Sequence, residues 1–452
     1  MSKPPATIFR CTKCDAQFPK WAGQCSECRT WGTLTEDAPT IEKRVDSNTP
    51  AAALTAFSSL STAHASHDAT GLDFWDRALS GGLVKGSMTL LGGEPGIGKS
   101  TLLAQLGVLM ANNKRRVVYV TGEESPTQVV VRLKRLSATL PPDLFFVDET
   151  RADVIAATIR DQRPALTIVD SVQSISLPTV AGEAGNPTQI KASAATIHDA
   201  AKQSNSAVIL VGQVTKDGDL AGPRLLEHLV DSVLMLEGDR FHSLRLLRVI
   251  KHRFGACDES VILSLNEKGL QEVLDPSAAL LADRPTGVSG SVVSCLVEGS
   301  RALLVEIQAL VTPAGYGTPA RRVSGVDTNR VNLVIAVLGR RADIALFDQD
   351  VFVNAVGGMD AKDPSIDLAM ALAIASAKTN RVLPDDLAAW GEIGLSGELR
   401  PVPRLEARIK EASRLGFKRI ITPLTREKPK VPSNITLLAC KNIKEAIEQT
   451  WK

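Results

Sequence analysis

The chain has 452 residues, 44% of them hydrophobic and 23% charged, with 52 Lys and Arg against 50 Asp and Glu. At roughly 150 residues per domain, that length suggests about three domains with ample material for cores, and wholesale disorder is excluded. A net charge of +2 excludes a histone-like polycation, so any nucleic-acid contact must come from local patches. The start, MSKPPATIFR, has no apolar run of the signal-peptide kind. The longest apolar stretch, 368–377, is about half the ~20 residues a membrane span needs. A soluble, cytoplasmic chain without a membrane partner is expected.

Residues 1–35 carry four of the seven cysteines, spaced Cys11-x2-Cys14-x10-Cys25-x2-Cys28. Each CxxC sets two thiolates on one tight knuckle, and two knuckles supply the four sulfurs of a tetrahedral, closed, structural zinc site. Iron binds the same ligands, and a redox dithiol pair is the metal-free alternative. Trp21, Trp31 and Lys20 either cover the metal or offer a contact to nucleic acid or protein. Cys257, Cys295 and Cys440 stand alone and are expected in cores. Residues 36–68, rich in Ser, Thr, Ala and Pro without a sustained period, read as a linker.

From residue 69 to 274, apolar runs at 87–92, 117–121, 144–148, 165–170, 207–213 and 232–237 alternate with helix-like stretches at 99–112, 126–138 and 188–204. That alternation predicts an α/β domain with a largely parallel sheet. Antiparallel strands are expected at 242–251 and 260–266. Residues 93–100, GEPGIGKS, match GxxxxGK[ST] between an apolar run and a helical one. Gly93, Glu94, Pro95, Gly96, Ile97 and Gly98 would form the loop whose backbone N–H groups, all but the one Pro95 lacks, wrap phosphates ahead of Thr101 in the helix. Lys99 would reach the β- and γ-phosphates of ATP. Ser100 would ligate Mg²⁺, and Asp170, ending the apolar run 165–169, would hold it through water.

Residues 275–286 read as a second linker, and 287–452 as a further mixed unit with strands near 291–297 and 303–310 and a helix near 364–377. Arg321, Arg322, Arg340 and Arg341 form paired cations that meet either a DNA backbone or acids at a subunit interface.

The order P-loop, YVTGEES (119–125), TIVDS (167–171) and VILVGQVTKDG (208–218) resembles the RecA-type ATPase core. The resemblance implies that Glu123 activates the attacking water, with Glu124 beside it an open alternative, and that Gln213 senses the γ-phosphate. Lys251-His252-Arg253-Phe254-Gly255 is similar to the KNRFG motif of the RadA (Sms) family of bacterial DNA-repair proteins, with His252 in place of Asn. The four-cysteine motif, P-loop core, KHRFG and C-terminal unit follow in that family's order over nearly the whole chain. The resemblance implies a DNA-stimulated, helicase-like ATPase in homologous recombination, using ATP, Mg²⁺ and Zn²⁺. It would promote branch migration on single-stranded DNA and branched intermediates beside RecA, as a hexameric ring in which Lys251 and Arg253 act on a neighbour's nucleotide. Two Gly- and Pro-punctuated stretches, 175–190 and 214–226, read as mobile loops. Lys191, Lys216 and Arg224 in or beside them are the candidate DNA contacts.

Residues 361–373, 390–402 and 404–412 resemble the proteolytic domain of Lon, whose Ser nucleophile is activated by a Lys. Ser365 sits at the serine, one residue short in local spacing, and Glu406 at the lysine, with Arg408 and Lys410 expected at other helix angles. A carboxylate cannot serve as that base, so a non-proteolytic Lon-like scaffold is expected. A Lon-type protease, a RecA-like autokinase and a non-hydrolysing DNA scaffold are the rival readings. The expected fold is α/β throughout: zinc ribbon, RecA-like ATPase, Lon-like domain.

Overall fold

A computed structural model describes residues 8–14, 16–18, 20–37, 67–213, 223–238, 244–315, 318–357 and 361–451. Two units are separate, residues 1–61 and 62–452. The first is a three-stranded antiparallel ribbon of β1 (Ile8–Cys11), β2 (Gln17–Phe18) and β3 (Leu34–Asp37), with β1 central. Its small core is Cys11, Cys25 and Leu34, with Phe9, Ala16 and Phe18 packed around them. So few apolar residues cannot hold a fold alone. Of the expected linker 36–68, residues 36 and 37 end β3 and residues 67 and 68 form a short strand; 38–66 lie outside the described residues.

The second unit begins with β4 (His67–Asp68), α1 (Asp73–Ala78) and β5 (Leu83–Val84). The predicted alternation then follows. It runs β6 (Met88–Gly93), α2 (Lys99–Asn112), β7 (Val117–Thr121), α3 (Pro126–Leu136), β8 (Leu144–Asp148), α4 (Ala152–Gln162) and β9 (Leu166–Val169). It continues with α5 (Pro187–Ser204), β10 (Ala207–Val211), α6 (Pro223–Glu227) and β11 (Ser232–Glu237). The near-continuous apolar sequences of β6, β7, β9 and β10 fit strands covered on both faces, and all four are fully buried. An antiparallel meander of β12 (Leu244–His252), β13 (Ser260–Asn266) and β14 (Gly269–Glu272) widens the sheet to nine strands. The order is β14-β13-β12-β11-β6-β10-β9-β7-β8, parallel from β11 to β8. The sheet order changes direction around β6, which places that strand's C-terminal end at the crevice where open α/β sheets bind ligands.

Residues 275–286, expected as a linker, carry α7 (Pro276–Leu281), with Pro276, Ser277 and Leu280 buried. Asp275 caps it, accepting from Ala278 N at 3.0 Å. Beyond it a seven-stranded sheet is built from β15 (Ser291–Glu298), β16 (Arg301–Pro313), β17 (Arg321–Ser324), β18 (Gln349–Ala355), β19 (Leu387–Ala389), β22 (Arg419–Pro423) and β23 (Thr436–Cys440). The hairpin of β20 (Glu392–Ile393) and β21 (Leu399–Arg400) lies outside it. Helices α8 (Thr328–Arg341), α9 (Asp367–Thr379), α10 (Leu405–Arg414) and α11 (Ile443–Thr450) complete this half. Helix α9 is buried from Asp367 through Ser376, which explains its all-round apolar sequence as a core helix. Leu246 and Ile262 of the nine-stranded sheet share one apolar cluster with Val292, Leu303 and α9, so the two halves are fused through their cores. Among the described residues no helix is long and apolar enough to cross a membrane.

Candidate functional site: a P-loop with two oriented acids

Strand β6 runs straight into the Gly-rich loop. Gly96 (φ +79°) and Gly98 (φ +115°) take left-handed backbone that L side chains rarely adopt. Helix α2 starts immediately afterwards with no side-chain cap, so its first N–H groups and its positive dipole end are available to an anion. Lys99 is buried and donates to Gly93 O (2.8 Å) and Glu94 O (2.9 Å) across the loop. Burial pushes its pKa below the lysine range, while the charges of Asp170, Glu123 and Glu94 pull it back. A γ-phosphate is the partner such a partly desolvated ammonium needs. Ile97 is buried beneath the loop, and Arg245 of β12 donates from Nε to its carbonyl at 3.2 Å.

The other predicted site residues follow the C-terminal ends of neighbouring parallel strands. Glu123 follows β7, Asp170 follows β9 and Gln213 follows β10, and these strands lie side by side next to β6. Tyr119 Oη, deeply buried, donates to Asp170 Oδ2 at 2.6 Å. Burial, then the Asp170 charge, push the Tyr119 phenol well above its usual pKa, so it stays a donor. Ser171 Oγ donates to Glu123 Oε1 at 2.5 Å. Glu124 is engaged elsewhere: both its oxygens are bound by the Arg132 guanidinium, Nη1 at 2.7 Å. The sequence left Glu123 and Glu124 as alternatives; only Glu123 carries a carboxylate not committed to a cation.

The cations of KHRFG lie at the far end of the sheet. His252 pairs with Ser232 at the start of β11, and Asp231 N bonds Met88 O at the start of β6. The P-loop leaves the other end of β6, about 17 Å away for six extended residues. Lys251 Nζ donates to Glu227 O (2.5 Å) and Val230 O (2.9 Å), just past α6. Arg253 Nη1 meets Asp231 Oδ1 at 3.2 Å. Although burial opposes ionisation, His198, the Met88 N–H and Arg253 hold Asp231 below the usual carboxylate range. Neither cation reaches its own chain's P-loop.

The stretch 175–190 differs from the expected mobile loop. Its last residues begin α5, and Gln189, buried, staples the rest. Its Nε2 donates to Val180 O (2.6 Å) and Gly182 O (3.0 Å), and its Oε1 accepts from Leu177 N (2.8 Å). Side-chain bonds to backbone replace the secondary structure that Gly and Pro forbid. Lys191 is exposed in the second turn of α5. Lys216 and the stretch 214–222 lie outside the described residues; Arg224 falls in α6, with its side chain undescribed.

In the ribbon, the four cysteine Sγ atoms lie within 4.8 Å of one another. Cys11–Cys28 and Cys14–Cys25 are 3.6 and 3.5 Å apart. Tetrahedral zinc with bonds of about 2.3 Å has edges of about 3.8 Å, so the sulfurs fit the ion. The Thr33 hydroxyl, then backbone N–H groups, lower the Cys11 pKa to about 6, which favours the ligating thiolate. Trp21 and Trp31 do not seal the metal: they are 61% and 73% exposed, and Phe9, Phe18 and Leu34 pack there instead. Trp21 Nε1 is tied to Leu34 O at 3.1 Å. Cys257 is exposed rather than core, whereas Cys295 and Cys440 are buried.

In the Lon-like half the residue opposite Ser365 differs from the one matched by local sequence. Glu406, matched to the lysine by local sequence, accepts from Lys430 N at 3.1 Å on the surface. The residue facing the buried Ser365 is Arg408, whose Nη1 donates to Ser365 Oγ at 3.1 Å and also to Cys295 O. A guanidinium does not give up its proton, so it cannot activate the serine. Of the paired arginines, Arg321 is bound to backbone carbonyls, Leu346 O at 3.0 Å and Gln349 O.

Comparison with known proteins agrees with this architecture. Residues 9–36 match the rubredoxin metal binding domain, 61–219 the AAA domain, and 337–451 the C-terminal proteolytic domain of Lon protease (S16). The chain is 45% identical to the DNA repair protein RadA of Pseudomonas aeruginosa, over 98% of this chain and 99% of that one. It is 42% identical to that of Aquifex aeolicus (93% and 94% covered) and 40% identical to that of Escherichia coli (99% and 99%). With a zinc ribbon, a P-loop ATPase domain and a Lon-type domain in one sequence, the chain belongs to the RadA family of DNA repair proteins.

Proposed function

We propose that the protein is a DNA-stimulated ATPase that works in homologous recombination, driving branch migration and unwinding of branched intermediates on single-stranded DNA together with RecA. The observation that carries the ATPase half is the row of strand ends β7-β9-β10-β6, which gathers Glu123, Asp170, Gln213 and the P-loop at one crevice. ATP lies with its phosphates against the loop 93–98 and the first turn of α2, and Lys99 leaves its carbonyl partners for the β- and γ-phosphate oxygens. Ser100 Oγ and, through water, Asp170 would hold Mg²⁺, which neutralises charge building on the phosphates. Glu123 accepts the proton of the attacking water, and Gln213 reads the loss of the γ-phosphate.

Lys251 and Arg253, out of reach of their own nucleotide, serve the site of the next subunit in a ring, proposed as a hexamer. That arrangement couples hydrolysis to assembly, since a cation at the γ-phosphate stabilises the transition state. Lys191, Lys216 and Arg224 are the proposed phosphate contacts for single-stranded DNA. The Lon-like half is a scaffold: with Arg408 on Ser365, proteolysis has no base.

The test is hydrolysis by mixed assemblies. Glu123→Gln and Lys251→Ala proteins, each inactive alone, regain activity on mixing if the two residues act at a shared interface, because mixed interfaces then contain an intact pair. Failure of every mixture to exceed its parents removes the trans role.

A further inference from the structure

Glu123 sits on the turn after β7 and is exposed, with its N–H bonded only to Thr121 Oγ1 at 3.2 Å. A glutamate in that setting samples many rotamers, and ordering such a side chain costs up to about 1.5–2 kcal/mol. Ser171 is its opposite: 1% exposed, immediately after Asp170, on backbone fixed from both sides. The next residue, Val172, bonds Val211 O at 2.9 Å, tying this segment to β10, and Ser174 Oγ donates to Ser171 O at 2.9 Å. From this rigid point the hydroxyl donates to Glu123 Oε1 at 2.5 Å.

We propose that Ser171 is a positioning residue for hydrolysis. Its hydroxyl pins one carboxylate oxygen of Glu123, leaving Oε2 to take the proton of the attacking water. The inference rests on the assignment of Glu123 as the base. Three observations support it. The donor is buried and has no other acceptor among the described residues, the acceptor would otherwise be mobile, and the adjacent Glu124 is held away by Arg132. Asp170 has its own hydroxyl donor, Tyr119, so the two acids are oriented independently. Among the described residues, Ser171 makes no side-chain hydrogen bond to the P-loop or to the Tyr119–Asp170 pair, so its loss should spare nucleotide and Mg²⁺ binding.

A general base contributes about 10²–10⁴-fold, and misplacing it forfeits part of that. Ser171→Ala in the full-length protein should lower kcat for ATP by on the order of 10–100-fold. KM for ATP and the Mg²⁺ concentration giving half-maximal rate should stay within about twofold, because the phosphate and metal contacts persist. On the residual single-turnover rate that Glu123→Gln leaves, the same substitution should cost nothing further, since there is no base left to position. Wild-type kcat in Ser171→Ala, with Glu123→Gln inactive, would overturn the positioning role and leave the base intact. An equal loss in both backgrounds would also overturn it, showing that the hydroxyl acts elsewhere. If Glu123→Gln itself hydrolyses ATP normally, the base assignment fails, and Ser171 loses its function with it.

Discussion

Arg408 offers a sharp test of the claim that the Lon-like half is a scaffold. Its side chain has no exposed surface and donates to three acceptors: Pro403 O at 3.0 Å, Ser365 Oγ at 3.1 Å and Cys295 O. Asp363 Oδ2 lies 3.6 Å from its other nitrogen. Truncation to Ala removes all of these donors and leaves a void beside β15. Each buried acceptor left unpaired costs about 1–3 kcal/mol, and relaxation or entering water recovers part of the sum. About 3–5 kcal/mol is therefore expected, the range for breaking a buried charged cluster by removing one member. At ~1–2 °C per kcal/mol for a unit the size of residues 62–452, its calorimetric transition should fall by about 5 °C. Ser365→Ala removes one bond and should cost about 1 kcal/mol. A fluorophosphonate probe should not label Ser365 in the unaltered protein. Two results would refute the reasoning: an Arg408→Ala protein melting at the unaltered temperature, or labelling of Ser365 with Arg408 in place.

Further outcomes are expected from the other sites. Chelation should release one zinc per chain and unfold the ribbon while leaving the calorimetric transition of residues 62–452 in place, because the ribbon's own core is Cys11, Cys25 and Leu34; a ribbon whose far-UV signal survives metal removal contradicts this. Tyr119→Phe deletes the 2.6 Å bond to Asp170 and should raise the Mg²⁺ requirement for hydrolysis by about 10-fold or more, as read from a Mg²⁺ titration of the rate. Gln189→Ala removes the staple from residues 177–182 and should speed amide exchange there with little change at β9 or β10; unchanged exchange would mean that the turn holds itself.

The parts of this molecule governed by local pattern were legible in the sequence. Strands 117–121 and 144–148 and helix 99–112 match the observed elements residue for residue, because apolar runs of strand length between Gly-rich or polar turns leave few alternatives. The phosphate loop was readable for the same reason: its glycines are demanded by left-handed backbone at Gly96 and Gly98.

What depends on which side chains meet across the fold was not legible. Glu406 and Arg408 differ by two positions on one helix, about 200° apart around its axis, and the match by local sequence chose the outward one. The arginine that faces Ser365 stands out only once α10 is packed on β15. The choice between Glu123 and Glu124 needed Arg132, eight residues beyond Glu124 on α3. Gln189 gave no sequence signal, since a glutamine early in a helix is ordinary until its side chain is seen reaching back to three residues of the preceding turn. The exposed tryptophans mislead similarly: in so small a ribbon, phenylalanines already fill the space beside the metal.

The central claim is that the crevice at the end of β6 hydrolyses ATP in response to DNA. Steady-state ATP hydrolysis by the full-length protein, with and without single-stranded DNA, beside Lys99→Ala and Glu123→Gln, tests it most directly. The account predicts that DNA raises the rate severalfold, that both substitutions abolish it, and that Glu123→Gln still binds ATP while Lys99→Ala binds it poorly. A rate indifferent to DNA, or a Lys99→Ala protein with full activity, would contradict it.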